Sequence, residues 1–149
     1  MNNSIVTVPN PINEPIRDYK PNSPEKESVL ATYKELKNST TDVKMWIGGK
    51  FIKSSKTSNM SPPHNHKHIL GKYYLAEKEH VEMAIKSALD AKDKWANMRW
   101  EQRAAIFLKA AELVAGPYRD KINAATMLAQ SKTIFQAEID AACELIDFL

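Results

Sequence analysis

From Glu77 to Leu149 the apolar residues recur at a period near 3.6, and a stretch with that period is limited to helices. In a first segment Val81, Ala84, Ile85, Ala88 and Trp95 form one stripe, with Glu82, Lys86, Asp90 and Asp93 elsewhere. A second segment repeats the pattern with Ala104, Phe107, Leu108, Ala111 and Val114, and Gly116-Pro117 ends it. A third is predicted from about Pro117, its first helical residue, through Ile122 and Ala125 to Ala129. The fourth starts at Thr133, which has capping-box spacing to Gln136, and its stripe includes Ile134, Ala141, Leu145 and Phe148. No glycine, lysine or proline stops this helix before Leu149, so the sequence reads as cut there.

Before Glu77 the character differs. Pro9, Pro11, Pro15 and Pro21 remove amide donors and hold the backbone extended, which predicts an irregular arm over residues 1–21 that needs a surface to lie on. Ser23-Pro24-Glu25 supplies an N-cap, a proline at the first helical position and an early carboxylate. With Val29, Leu30, Tyr33 and Leu36 at helical spacing, a helix is predicted from about Pro24 to Lys37. Met45-Trp46-Ile47 and Phe51-Ile52 flank Gly48-Gly49, the pattern of a tight β-hairpin whose turn needs positive φ angles. Ile69 to Leu75, after the breaker Pro62-Pro63, reads as a further strand.

Composition narrows the function classes. The 21 Lys+Arg against 18 Asp+Glu are spread along the chain without blocks, which points away from nucleic acid. No apolar run approaches the roughly 18 residues of a membrane span. The opening stretch carries Glu14 and Asp18 and lacks both a signal-peptide core and the acid-poor composition of a transit peptide, so a cytoplasmic location is expected. The single cysteine, Cys143, excludes an internal disulfide framework and a zinc site built on several thiolates.

The motifs then converge. Met45-Trp46-Ile47-Gly48-Gly49-Lys50-Phe51 resembles the first hairpin of the aldehyde dehydrogenase superfamily, and Trp95 with the run from Trp100 through Arg103 to Ala111 resembles its next signature. Ser61-Pro62-Pro63-His64-Asn65-His66-Lys67-His68 and, most specifically, Gln136-Ala137-Glu138-Ile139-Asp140-Ala141-Ala142-Cys143-Glu144-Leu145-Ile146-Asp147-Phe148 are similar to the 1-pyrroline-5-carboxylate dehydrogenase branch. The resemblance covers roughly Asn10 to Leu149 and departs from the usual pattern at Arg99 and Ala129.

This resemblance implies an α/β fold: an extended arm, a short hairpin and strands, then about four helices of an incomplete Rossmann-like domain. It places residues 1–44 as arm and helix and 45–149 as the start of the NAD-binding domain. It implies an NAD-dependent oxidoreductase of proline degradation that oxidises L-glutamate γ-semialdehyde to L-glutamate and is a homo-oligomer when intact. Its chemistry uses a cysteine nucleophile, an oxyanion-stabilising asparagine and a water-activating glutamate, all of which the resemblance puts beyond Leu149. With four glycines and no glycine-rich phosphate loop, nothing here matches the usual dinucleotide cradle. An inactive portion of an enzyme is expected, with no catalytic, cofactor-binding or metal-ligating residue of its own. Its helix faces should lack the sheet they pack on, which predicts poorly cooperative folding. The alternative is a freestanding helical module that docks a partner protein.

Four local features invite chemistry. Cys143, mid-helix beside Ala141 and Ala142 and where the resembling branch usually has alanine, reads as a small packing residue. His64, His66 and His68 alternate, which on a strand would present one face to a metal, but no carboxylate or thiol lies nearby in sequence. Arg103 could anchor a carboxylate, but an arginine early in a surface helix is more often paired with a glutamate such as Glu101 or simply solvated. Glu138 falls on the apolar stripe of the fourth helix, where a carboxylate is costly unless paired, hydrogen-bonded or at a cavity. One reading pairs it with a basic residue elsewhere; the other makes it substrate-binding, receiving the α-ammonium group of the semialdehyde in the channel that this helix borders in the resembling enzymes.

Overall fold

Ser23 starts the first regular element. Its hydroxyl accepts from the Lys26 amide at 3.3 Å, and Pro24 takes a position where no amide is needed, so α1 runs Pro24–Asn38. The computed structural model describes residue 5 and residues 7–149. The first positions expected in the arm, Met1 to Ser4 and Val6, lie outside the described residues; the rest, to Lys20, takes no regular structure.

After α1 come five short strands: β1 Thr41–Val43, β2 Met45–Ile47, β3 Lys50–Ile52, β4 Thr57–Met60 and β5 Gly71–Tyr74. β2 and β3 form the expected antiparallel hairpin, with Trp46 opposite Phe51 and their rings edge to face at 4.7 Å. Gly48 and Gly49 turn it with φ of +58° and +76°, angles that cost glycine little. The strand expected within Ile69–Leu75 is β5, and it is central: β1 pairs with it in parallel and β4 antiparallel. β1 and β4 had no sequence signal, because Thr41-Asp42-Val43 and Thr57-Ser58-Asn59-Met60 are too short and too polar to show alternation. Gly71 permits the parallel pairing, since a Cβ there would lie 2.0 Å from the Thr41 carbonyl oxygen.

Four helical segments follow, as the periodicity predicts. α2 spans Lys78–Ala96 and α3 Trp100–Ala115. α4 spans Arg119–Gln130; it begins two residues beyond Pro117, because Gly116 to Tyr118 form a closing turn in which the Tyr118 amide donates to the Leu113 carbonyl at 3.1 Å. The fourth segment opens with the Thr133/Gln136 capping box. It is not one continuous α-helix but α5 Ile134–Ala137, a π-helical turn Glu138–Cys143 and α6 Glu144–Phe148.

That π-turn moves the buried face. A five-residue turn stacks residue i on i+5, so Glu138 and Cys143 share a side with Ala137 and Ala142, all buried, whereas Leu145 and Phe148 of the expected stripe are exposed. The core lies where α1 packs on α4 and α4 on the α5/π segment, filled by Val29, Ala124, Leu128, Ala137 and Ala142. Outside it, α2 buries only His80 and α3 buries no residue, so Val81, Ile85, Phe107 and Leu108 of their stripes are exposed. Among the described residues, no helix is long and apolar enough to cross a membrane.

Candidate functional site

The densest buried polar chemistry forms where the arm crosses the start of α4 and the π-turn. Arg119 is the first residue of α4 and Asn123 lies one turn on, so both point to the same side; each is buried. A guanidinium at a helix N-terminus opposes the helix dipole and needs carboxylates. Glu138, wholly buried, and Glu14 of the arm supply them: Arg119 Nη2 meets Glu138 Oε1 at 2.5 Å, Nε meets Oε2 at 3.3 Å, and Nη1 donates to Glu14. Arg119 Nη2 also reaches the Pro15 carbonyl at 2.8 Å and Cys143 Sγ at 3.3 Å.

The Glu138 carboxylate is saturated. Besides Arg119, Oε1 accepts from the Arg17 amide at 2.8 Å, and Oε2 accepts from the Tyr19 hydroxyl at 2.7 Å and Asn123 Nδ2 at 2.8 Å. Burial by itself would push this carboxyl up, but the hydrogen bonds from Arg119, the Arg17 amide, Tyr19 and Asn123 outweigh it and hold it at about 2. Burial, the hydrogen bond to Glu138 and that residue's charge push the Tyr19 phenol above its ordinary value. Burial and the Glu138 charge push the Cys143 thiol up, which suppresses the thiolate. Asn123 Oδ1 is buried without a partner among the described residues. The arrangement holds charge in place; it presents no reactive group to solvent.

The other sequence candidates are placed as follows. Glu138 sits inside the chain and is met by a basic residue, Arg119, which sequence reasoning did not single out. Nor were Tyr19, Glu14 and Asn123 anticipated. The available signal was Arg119 and Asn123 at i, i+4 on the same face as Ala124 and Leu128, a polar pair on what proves to be the buried stripe of α4. Cys143 is buried as a packing residue. His64, His66 and His68 lie in turns, not on a strand: His64 Nδ1 is 2.6 Å from Ser131 Oγ, His68 Nε2 is 2.7 Å from the Lys37 carbonyl oxygen, and His66 is exposed. Glu101 pairs with Arg99, at 2.5 Å, and not with Arg103. Arg103 instead lies over the Trp95 ring at 6.0 Å, with Nε buried and unpartnered among the described residues.

Among the described residues neither a nucleotide nor a metal is well served. Gly48 and Gly49 serve the hairpin, Gly71 the strand pairing, and Gly116 caps α3, so no glycine opens a phosphate cradle between a strand and a helix and the residues present do not fit NAD. Glu77, Glu79 and His80 have ligand-type atoms within 4.8 Å of one another. Glu77, however, is engaged by Lys56 at 2.8 Å, and His80 Nδ1 accepts the Glu77 amide at 3.1 Å. An open apolar groove of about 850 Å³ runs between residues 7–13 of the arm, α3 and the end of α6.

Comparison with known proteins gives a consistent set. The profile described as "Aldehyde dehydrogenase family" matches residues 51–149. A probable delta-1-pyrroline-5-carboxylate dehydrogenase of Schizosaccharomyces pombe is 43% identical over 138 residues, which is 92% of this chain and 25% of that protein. The mitochondrial delta-1-pyrroline-5-carboxylate dehydrogenase of Homo sapiens is 40% identical over 91% of this chain and 24% of its own length. The crystal structure of the Mycobacterium tuberculosis delta-pyrroline-5-carboxylate dehydrogenase bound with NAD superposes with a TM-score of 0.95 at 44% identity, covering 98% of this chain and 28% of that one. The chain thus spans about a quarter of the length of the relatives it matches.

Proposed function

The chain belongs to the aldehyde dehydrogenase family, and from that premise we propose that it is the N-terminal portion of an NAD-dependent enzyme oxidising L-glutamate γ-semialdehyde to L-glutamate in proline degradation. One observation carries this reading: sequence identity of 44% and a TM-score of 0.95 extend over 98% of the chain, against a delta-pyrroline-5-carboxylate dehydrogenase solved with NAD. The alternative, a freestanding helical binding module, is not favoured, because the relatives reported above are dehydrogenases. In this proposal residues 1–44 form arm and helix, residues 45–149 begin the NAD-binding domain, and the intact protein is a cytoplasmic homo-oligomer. The human relative is named as mitochondrial.

On this reading the 149 residues alone do not perform the reaction. Buried Cys143 has its thiol held in the unreactive form, and no glycine-rich turn is present to seat a dinucleotide. For Glu138 the geometry supports the pairing role, since the carboxylate is wholly buried and both its oxygens are taken by Arg119, the Arg17 amide, Tyr19 and Asn123. Reception of the substrate ammonium group requires one of these partners to give way. The test compares the 149-residue chain with the protein encoded by the entire reading frame. The former should give no NADH from NAD and the semialdehyde; the latter should give substrate-dependent NADH. In the longer protein Glu138→Gln should raise KM for the semialdehyde several-fold and spare a plain aliphatic aldehyde if the ammonium role holds. Equal losses for both assign it to pairing alone, and an entire reading frame that yields no NADH overturns the enzymatic proposal.

A further inference from the structure

The arm is gripped by its main chain. Among the described residues of the arm no strand pairing holds it; instead side chains of the helical body take three of its backbone groups. Asp147 accepts the Glu14 amide at 2.7 Å, Arg119 donates to the Pro15 carbonyl at 2.8 Å, and Glu138 accepts the Arg17 amide at 2.8 Å. Pro15 stands where only a carbonyl is used, so its missing amide costs nothing. This is how clefts bind extended peptides, through backbone groups.

Both sides of the contact carry a local irregularity. On the arm, Tyr19 has φ of +48°, an angle costly for a residue with a bulky side chain, and it is held there by its hydroxyl on Glu138. On the body, the helix takes a π-turn at Glu138–Cys143, which brings Cys143 under Arg119 on the same side as Glu138. Each irregularity has its reward in the other. If the arm leaves, Glu138 loses the Arg17 amide and Tyr19, and Arg119 loses Glu14 and Pro15, so an incompletely bonded ion pair faces a helix with one residue too many in its turn.

We propose that the arm and the π-turn form one two-state latch: Arg119 and Glu138 hold the arm's main chain, and the docked arm in turn holds the extra residue in the helix. Arm release and relaxation of the turn to α-helical pairing are a single event. The latch does not depend on the chemistry proposed for the longer protein, and it is tested on the 149-residue chain by residue-resolved hydrogen exchange.

Tyr19→Phe removes one hydroxyl and keeps the ring. It should speed exchange of the Arg17 amide and of the Ile139–Glu144 amides by the same factor, about tenfold or more, the effect of losing one bond to a charged group. The β5 amides should be unchanged, and tryptic cleavage after Arg17 should accelerate by a matching factor. Arg119→Lys, which keeps charge but loses the forked grip, should act in the same direction and more strongly. If Arg119→Lys also loosens β5, Tyr19→Phe decides. Faster exchange in the arm with an unchanged π-turn, unchanged exchange at both, or a wild-type chain unprotected at Arg17 would overturn the proposal.

Discussion

At the scale of residues, a carboxylate read from the sequence as out of place on an apolar face is the centre of the molecule's polar core. Taking Glu138 out of water is costly, and the pair with Arg119 is sustained only because every lone pair of the carboxylate is used. Acid should therefore open this site. Because the Glu138 carboxyl is held at about 2, below its ordinary 4.5, its contribution is fully present above pH 4.5 and is lost as pH falls toward 2, on the order of 3 kcal/mol across that window. Exchange of the Arg17 amide should report the loss. In Glu138→Gln the same amide should be weakly protected at neutral pH and show little further change on acidification, whereas an equally steep acid response in both proteins would assign the effect to other carboxylates. The sequence made the problem of Glu138 legible, since its position among Ile134, Ala141 and Leu145 follows from spacing. It did not make the partner legible, because Arg119 is near Glu138 only through the packing of two helices and Tyr19 reaches it from 119 residues away.

At the scale of elements, capping chemistry and hydrophobic period located what they govern. Ser23-Pro24, Gly48-Gly49 and Thr133 with Gln136 each start or turn the element they predict, because those signals act within a few residues. Pairing partners were not legible, as β1 and β4 owe their strand geometry to β5 and not to their own residues. Gly71 makes this testable. Gly71→Ala places a methyl 2.0 Å from the Thr41 carbonyl oxygen at a φ of +151°, so β1 must move off β5, at a cost on the order of 3 kcal/mol. Gly49→Ala meets open space and only an unfavourable φ of +76°, at about 1 kcal/mol. Exchange at the Thr41 amide, which donates to Leu70 at 2.9 Å, should collapse in the first variant and persist in the second. Similar protection in both would show that the close approach does not govern the pairing.

At the scale of the whole molecule, burial is uneven. α1, α4 and the α5/π segment close on one another and on the arm, while α2 and α3 keep apolar stripes in water. The isolated chain should bind an apolar-surface dye and melt over a broad range, with amides of α4 and the π-turn protected and those of α2 and α3 exchanging fast. A single sharp, reversible transition with uniform protection and no dye binding would contradict this. The sequence by itself determined the succession of arm, helix, hairpin and four helical segments, and the family through its motifs, because periodicity, caps and turns are short-range physics. Only the tertiary structure decided which face of each helix is inside, that the last helix takes a π-turn, and that Arg119, Glu138 and Tyr19 meet. Those outcomes depend on desolvating charged groups that lie far apart in the chain, and the free energy of doing so is set by the neighbours that packing supplies.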